Sequence, residues 1–305
     1  MKKHVVRALE TLAFMNLVLA FSTAFASSIV FIILGISLRY EPLLIILLVT
    51  FAGYTINRFT DKEDWISHPK RSLYIKEYGG VLFFVAVLTY VLAIFIAGMR
   101  NVQTLFMTLL AGVAIMLYSF EWIPKGRSSL AKVKSISRLV MFRRIKELHF
   151  VKNIFVAVIW SLGVVFLPIS YVRDNLPLSA HAVLFLWMFF FGRFLINTIV
   201  FDLKDIEGDR RHNVRSLPVT LGYDTTRKLM AIVNIILFLI ITAVILAGYL
   251  PGIMHIPNIF SMLYTFFYLY QARHKSSIHF TCDVFVDAEY IIMTVPLYIY
   301  TYLFG

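Results

Sequence analysis

Apolar runs of about 20 residues, each long enough to cross a ~30 Å hydrocarbon core as a helix, recur along the whole chain. They fall near residues 11–38, 42–57, 80–98, 103–120, 151–170, 181–201, 229–250, 257–271 and 285–303. The runs are continuous and lack the alternating ten-residue pattern of a lipid-facing barrel, so helices are expected. Composition points the same way. Hydrophobic residues make up 60% and charged residues 15% of the 305 positions, against roughly a quarter charged in ordinary soluble domains. The expected fold is an all-α polytopic membrane protein of about nine transmembrane helices, built as a single domain over residues 1–305.

The N-terminus imitates a secretory signal. Lys2, Lys3 and Arg7 precede an apolar stretch, and Ala24-Phe25-Ala26 resembles a small-residue cleavage site. Hydrophobicity nevertheless runs on through Ile29–Leu38, past the core of a signal, which favours a first spanning helix. Cys282 is the single cysteine, which excludes an intrachain disulfide and a cysteine-rich metal centre in this sequence.

The net charge of +12 is distributed by parity. Of 29 Lys and Arg residues, 25 lie before the first run or on alternate connections between runs; Arg39, Arg100 and Arg173 lie on the other side, and Arg193 lies within a run. This asymmetry predicts a cytoplasmic N-terminus, and an odd number of spans then puts the C-terminus outside. The basic side is expected to face anionic lipid, not nucleic acid. The long connections 58–79, 121–150 and 202–228 share that side, so the working face is expected to be cytoplasmic.

Two acidic clusters open on this face. The second run leads into Asn57, Asp61 and Asp64, spaced i, i+4, i+7; the sixth ends in Asp202, Asp205 and Asp209, spaced i, i+3, i+7. Continued as helices, both spacings put three oxygen-bearing side chains on one face. Like charges so close repel, which suggests a cation nearby. Oxygen ligands suit Mg²⁺ or Ca²⁺, and Mg²⁺ commonly shares carboxylates with substrate phosphates. Either cluster alone could be a solvated helix cap; two with similar spacing on one side suggest two halves (about 1–150 and 151–305) clasping one diphosphate.

The second cluster and its tail, Asp202 through Arg210 followed by Val214-Arg215-Ser216-Leu217-Pro218, resemble the UbiA superfamily of intramembrane prenyltransferases. Asn57 through Asp64, followed by His68-Pro69-Lys70-Arg71, resembles the family's other Asp-rich motif. The chain departs from that motif at Arg58 and Trp65, leaving Asn57 with Asp61 as the clearest pair. The resemblance implies nine helices around a central cavity and Mg²⁺-dependent transfer of an isoprenyl group, geranyl to geranylgeranyl, in lipid or quinone biosynthesis. The implied acceptor is aromatic or of glycerol-phosphate type. Asn57, Asp61, Asp64, Asp202, Asp205 and Asp209 would then be metal ligands, with Asp61 and Asp205 central to catalysis. The family's Tyr and Lys after the fourth helix would be Tyr118 and Lys125, with Lys125 stabilising the leaving diphosphate or else serving as one more loop charge. Arg71 and Arg210 are supplementary candidate donors.

Arg193 and Asn197, one turn apart within a run, are expensive in lipid and should face the interior, lining the cavity or forming an Arg–carboxylate pair. Asn16 should make an interhelical hydrogen bond. Asp283 and Asp287 could be solvated, Lys-paired or part of the pocket, and the eight His residues show no metal spacing. Two rivals compete. A cation-coupled transporter would place its carboxylates near the bilayer midplane, and a CDP-alcohol phosphotransferase carries one Asp motif where this chain has two.

Overall fold

The computed structural model describes residues 2–60, 68–120, 151–171, 179–211 and 214–304, with the side chains of Lys2 and Lys3 excepted. Among the described residues every regular element is helical. The elements are α1 (Lys2–Phe14), α2 (Leu17–Ile33), α3 (Tyr40–Thr60), α4 (Pro69–Arg100), α5 (Val102–Ser119), α6 (Val151–Ile169) and α7 (Ala180–Arg211). They continue as α8 (Leu217–Leu221), α9 (Tyr223–Leu246) and α10 (His255–Gln271). After one helical turn at Ile278–Phe280 comes a π-helix, Thr281–Val286, and then α11 (Glu289–Phe304).

Six of these helices (α3 to α7 and α9) are long and apolar enough to cross a membrane, or seven if α1 and α2 form one bent span. The protein is a multi-pass membrane protein. The surface agrees: Val81, Phe84, Val91 and Phe95 of α4 and Ile232, Ile236 and Leu239 of α9 are exposed, an apolar area that water would not tolerate on a monomer. Helices α10 and α11, with 17 and 16 residues, are the shortest of the predicted spans.

One predicted span is corrected. The run 11–38 is not a straight helix: α1 meets α2 at 73°. Asn16 sits at the corner in a left-handed conformation (φ 61°), which Asn tolerates better than most residues. Its side chain donates to Thr55 Oγ1 at 3.1 Å, the interhelical bond expected of it. Arg58 braces the corner by donating to the carbonyls of Ala13 and Phe14 at 3.5 and 3.1 Å. On the far side, α2 ends at Gly35 (φ 64°), where the amides of Gly35 and Ile36 reach back to Ile32 and Phe31. This paired-bond stop needs a left-handed residue, and glycine supplies it without strain.

Two helices overrun the bilayer. At ~1.5 Å per residue, α7 with its 32 residues is far longer than a ~30 Å core requires. Its last turns, from Asp202 to Arg211, therefore emerge as a polar extension, and Arg210 and Arg211 complement the helix dipole there. Helix α4 has the same length and begins with a polar turn at Pro69. Helices α2, α6, α7, α9 and α11 share one apolar core, and α3 to α6 share another. The cavity lies among helices that contribute to these cores.

Candidate active site

The cavity is lined by α2, α3, α5, α6, α7, Arg71 of α4 and the segment from Val286 into α11. At its mouth stand Asn57, Arg58, Arg71, Tyr118, Ser119, Lys152, Asn153, Asp202, Lys204, Asp205 and Asp209. They come from the ends of α3, α5 and α7 and the starts of α4 and α6. An up-and-down bundle brings exactly such alternate ends to one side. Deeper, the walls become apolar and aromatic, with Phe155, Ile159, Trp160, Phe194, Val286 and Tyr290. Tyr54 stacks on Trp160 with ring centroids 5.5 Å apart.

The carboxylates of α7 are held by cations and amides. Lys152 Nζ lies 2.9 Å from Asp202 Oδ1 and 3.4 Å from Asp209 Oδ2. Asn153 Nδ2 donates to the other Asp202 oxygen at 3.0 Å. Asp205 meets His68 Nε2 at 3.2 Å while 34% of its side chain stays open. Across the mouth, Ser119 Oγ donates to Asn57 Oδ1 at 3.4 Å.

A second layer lies behind this one. Lys204 donates to Asp283, which Arg71 also meets at 3.5 Å. Burial alone would raise the pKa of Asp283, but the charges of Lys204 and Arg71 outweigh it and hold the group well below the ordinary carboxylate range. His279 packs edge-on against His68 with centroids 4.3 Å apart. Burial, then the neighbouring His68 and Lys204, lower its pKa to about 4, so it is neutral at physiological pH.

Among the described residues, no three His, Cys, Asp or Glu side chains are already grouped as a metal site. The donors are still of the right kind. They are carboxylates and an amide oxygen, with Asp205 open to the cavity, and such a set suits Mg²⁺ completed by phosphate oxygens.

The sequence profile of the UbiA prenyltransferase family matches residues 11–285 of this chain. The chain belongs to that family. A digeranylgeranylglyceryl phosphate synthase of Methanosphaera stadtmanae is 25% identical over 256 residues, 79% of this chain and 76% of that protein. A UbiA homolog from Archaeoglobus fulgidus bound to GPP and Mg²⁺ shares the fold at a TM-score of 0.59 and 15% identity, covering 94% of this chain and 98% of the other. The same homolog bound to DMAPP and Mg²⁺ aligns at 0.58 and 15% identity, over 95% and 99% of the two chains. The protein is therefore an intramembrane prenyltransferase.

In this UbiA prenyltransferase the expected site residues divide into three groups. Asn57, Arg71, Tyr118, Asn197, Asp202, Asp205 and Asp209 all line the one cavity. Asp61, Asp64 and Lys125 lie outside the described residues. Arg193 and Arg210 are not among the residues that line the cavity. Arg210 is exposed on α7 and is not part of the cavity wall. Arg193 is only 1% exposed and its guanidinium is consumed by Glu289 (Nε to Oε1 at 2.7 Å), Asn234 (2.6 Å), Thr265 and the Ser261 carbonyl. Of its two expected roles, the Arg–carboxylate pair is the one observed, tying α7, α9, α10 and α11 together.

Sequence reasoning passed over Lys152, Asn153 and His68 as site residues. Lys152 counts there only as the last of nine basic residues on one connection. The available signal was its position, paired with Asn153 at the very start of an apolar run.

Proposed function

We propose that this enzyme transfers an isoprenyl group, geranyl to geranylgeranyl, from its diphosphate to a hydroxyl of a glycerol-phosphate-type lipid, releasing diphosphate. One observation carries the reading: Asn57 of the first cluster and Asp202, Asp205 and Asp209 of the second line the same cavity, which deepens into aromatic walls. That polarity matches a substrate with a charged head and a hydrocarbon tail. The name of the Methanosphaera relative, a digeranylgeranylglyceryl phosphate synthase, supports a glyceryl phosphate acceptor over an aromatic one.

Mg²⁺, bound by Asn57, Asp61, Asp64, Asp202, Asp205 and Asp209 together with phosphate oxygens, would supply the charge that stabilises the departing diphosphate. Lys152 sits where its ammonium can turn from Asp202 and Asp209 to a phosphate oxygen, a charge-assisted bond that strengthens as the leaving group gains charge. Arg71 and Tyr118 line the same mouth and orient the head group. Below them the protein would exclude water from the allylic cation, and Tyr54, Trp160, Phe194 and Tyr290 line the space in which aromatic rings could stabilise it.

In the membrane we place nine spans, with α1 and α2 as one bent element, the cluster ends in the cytoplasm and the C-terminus outside. The 25 basic residues on one side support this orientation.

The test is Mg²⁺-dependent binding of geranylgeranyl diphosphate to purified protein, with and without chelator. Asp61→Ala and Asp205→Ala should each weaken it. Binding indifferent to both substitutions and to chelation would remove the diphosphate from this cavity.

A further inference from the structure

Three acids follow each other between Asp283 and Glu289, and the structure treats them differently. Asp283 is neutralised by Lys204 and Arg71. Glu289 is neutralised by Arg193. Asp287, between them, lines the cavity with only 4% of its surface exposed. Among the described residues its side chain makes no ion pair and no hydrogen bond. An acid kept for structural reasons is paired when buried, because desolvating a lone carboxylate is costly. Asp287 instead lines the cavity without a direct partner, with the charges of Lys204, Arg58 and Arg71 acting on it only from a distance.

Its depth is specific. Asp287 precedes Tyr290 by about one turn, and the Tyr290 ring lies 4.8 Å from Phe194 of α7. Asn197, one turn beyond Phe194, also faces the cavity, and Asp202 follows five residues later, roughly 7.5 Å along the axis at ~1.5 Å per residue. Asp287 thus lies roughly one and a half turns below Asp202, the nearest carboxylate of the mouth, in a cavity that Tyr54, Phe194, Asn197 and Tyr290 also line. A diphosphate held at the mouth would put its C1 carbon at this level.

Resting on the reading proposed above, we propose that Asp287 is the general base that receives the proton lost by the acceptor hydroxyl. The C1–O bond breaks and its electron pair leaves with the diphosphate. A lone pair of the acceptor oxygen forms the new C–O bond, and the O–H proton passes to the Asp287 carboxylate, which later returns it to water at the mouth. Asp202, Asp205 and Asp209 are poorly placed for this step, since each already faces a cation or an imidazole. The assignment also narrows the acceptor to a nucleophile that must shed a proton inside the cavity.

The test compares the wild type with Asp287→Asn and Asp287→Glu in lipid nanodiscs. Melting temperature, Mg²⁺-dependent binding of geranylgeranyl diphosphate, and transfer to geranylgeranylglyceryl phosphate are measured. Asp287→Asn should melt at or above the wild-type temperature and bind the donor with unchanged Mg²⁺ dependence. Its kcat should fall on the order of 10²- to 10³-fold at unchanged donor KM, with Asp287→Glu restoring part of the rate. A lowered melting temperature would make Asp287 structural, an altered Mg²⁺ dependence would make it a metal ligand, and an undiminished kcat would deny it the proton. Each overturns the assignment. Should the wild type transfer nothing to this lipid, the acceptor class proposed above is wrong. Stability and donor binding then decide Asp287: a drop in either overturns its role, and their retention supports it.

Discussion

Lys152 closes the two outer carboxylates of α7 with one ammonium, 2.9 Å from Asp202 and 3.4 Å from Asp209. The acids are 7% and 5% exposed, so their charge has little other relief. This makes Lys152 a structural counter-ion that also lines the cavity proposed for the diphosphate.

Replacing that ammonium separates the two roles. Lys152→Met leaves two buried carboxylates facing one another, and breaking a buried pair costs about 3–5 kcal/mol. The variant should melt below the wild type without metal, and Mg²⁺ should raise its melting temperature more than it raises that of the wild type. Equal Mg²⁺ responses would show that these carboxylates do not accept the metal.

Arg193 and Glu289 should behave differently. Both are fully enclosed and lie outside the cavity wall. Glu289→Ala should destabilise by about 3–5 kcal/mol, while Arg193→Met with Glu289→Leu should recover most of it. Donor affinity per folded molecule should be unchanged in the double variant. A selective loss of donor affinity with normal melting would return Arg193 to the substrate site.

His279 predicts an acid limb in the stability profile. Its folded pKa of about 4 lies below its ordinary 6.5, so the unfolded chain binds the proton more readily. Stability is then complete above about pH 6.5 and declines as pH falls toward about 4. His279→Phe should flatten that part of the melting-temperature profile. An unchanged acid limb would assign it to other groups.

Asn16 tests the corner between α1 and α2. Asn16→Ala loses the bond to Thr55 and forces a β-carbon into a left-handed conformation, together costing about 2–3 kcal/mol. Asn16→Gly keeps the backbone freedom and loses only the bond, about 1 kcal/mol. Chemical denaturation in mild detergent should rank wild type, Gly, then Ala; Ala at or above Gly would mean that the backbone at the corner is not strained.

The helical segments were legible because lipid imposes one simple rule on an apolar run, and every predicted run carries helix among the described residues. The corner at Asn16 was not, because one left-handed residue leaves the hydrophobicity of residues 11–38 unbroken. Asn57, Asp202, Asp205 and Asp209, singled out by spacing along single helices, line one cavity. Lys152 and His68 were passed over, and Asp287 was left open between three roles, because their meaning depends on what lies across from them. Lys152 is one of many loop charges until Asp202 and Asp209 face it. Asp283 and Asp287 look equivalent in the chain, and only the placement of Lys204 and Arg71 distinguishes them.

The unbroken length of α7 has a consequence for selectivity. Phe194 and Asn197 on its inner half and Asp202 to Asp209 at its tip belong to one stiff rod. In the binding mode proposed above, the head group and the first isoprene units would be measured against a single ruler. Enlarging or filling the space beside Phe194 should retune which chain lengths are accepted while the tip, and the chemistry performed there, stays in register.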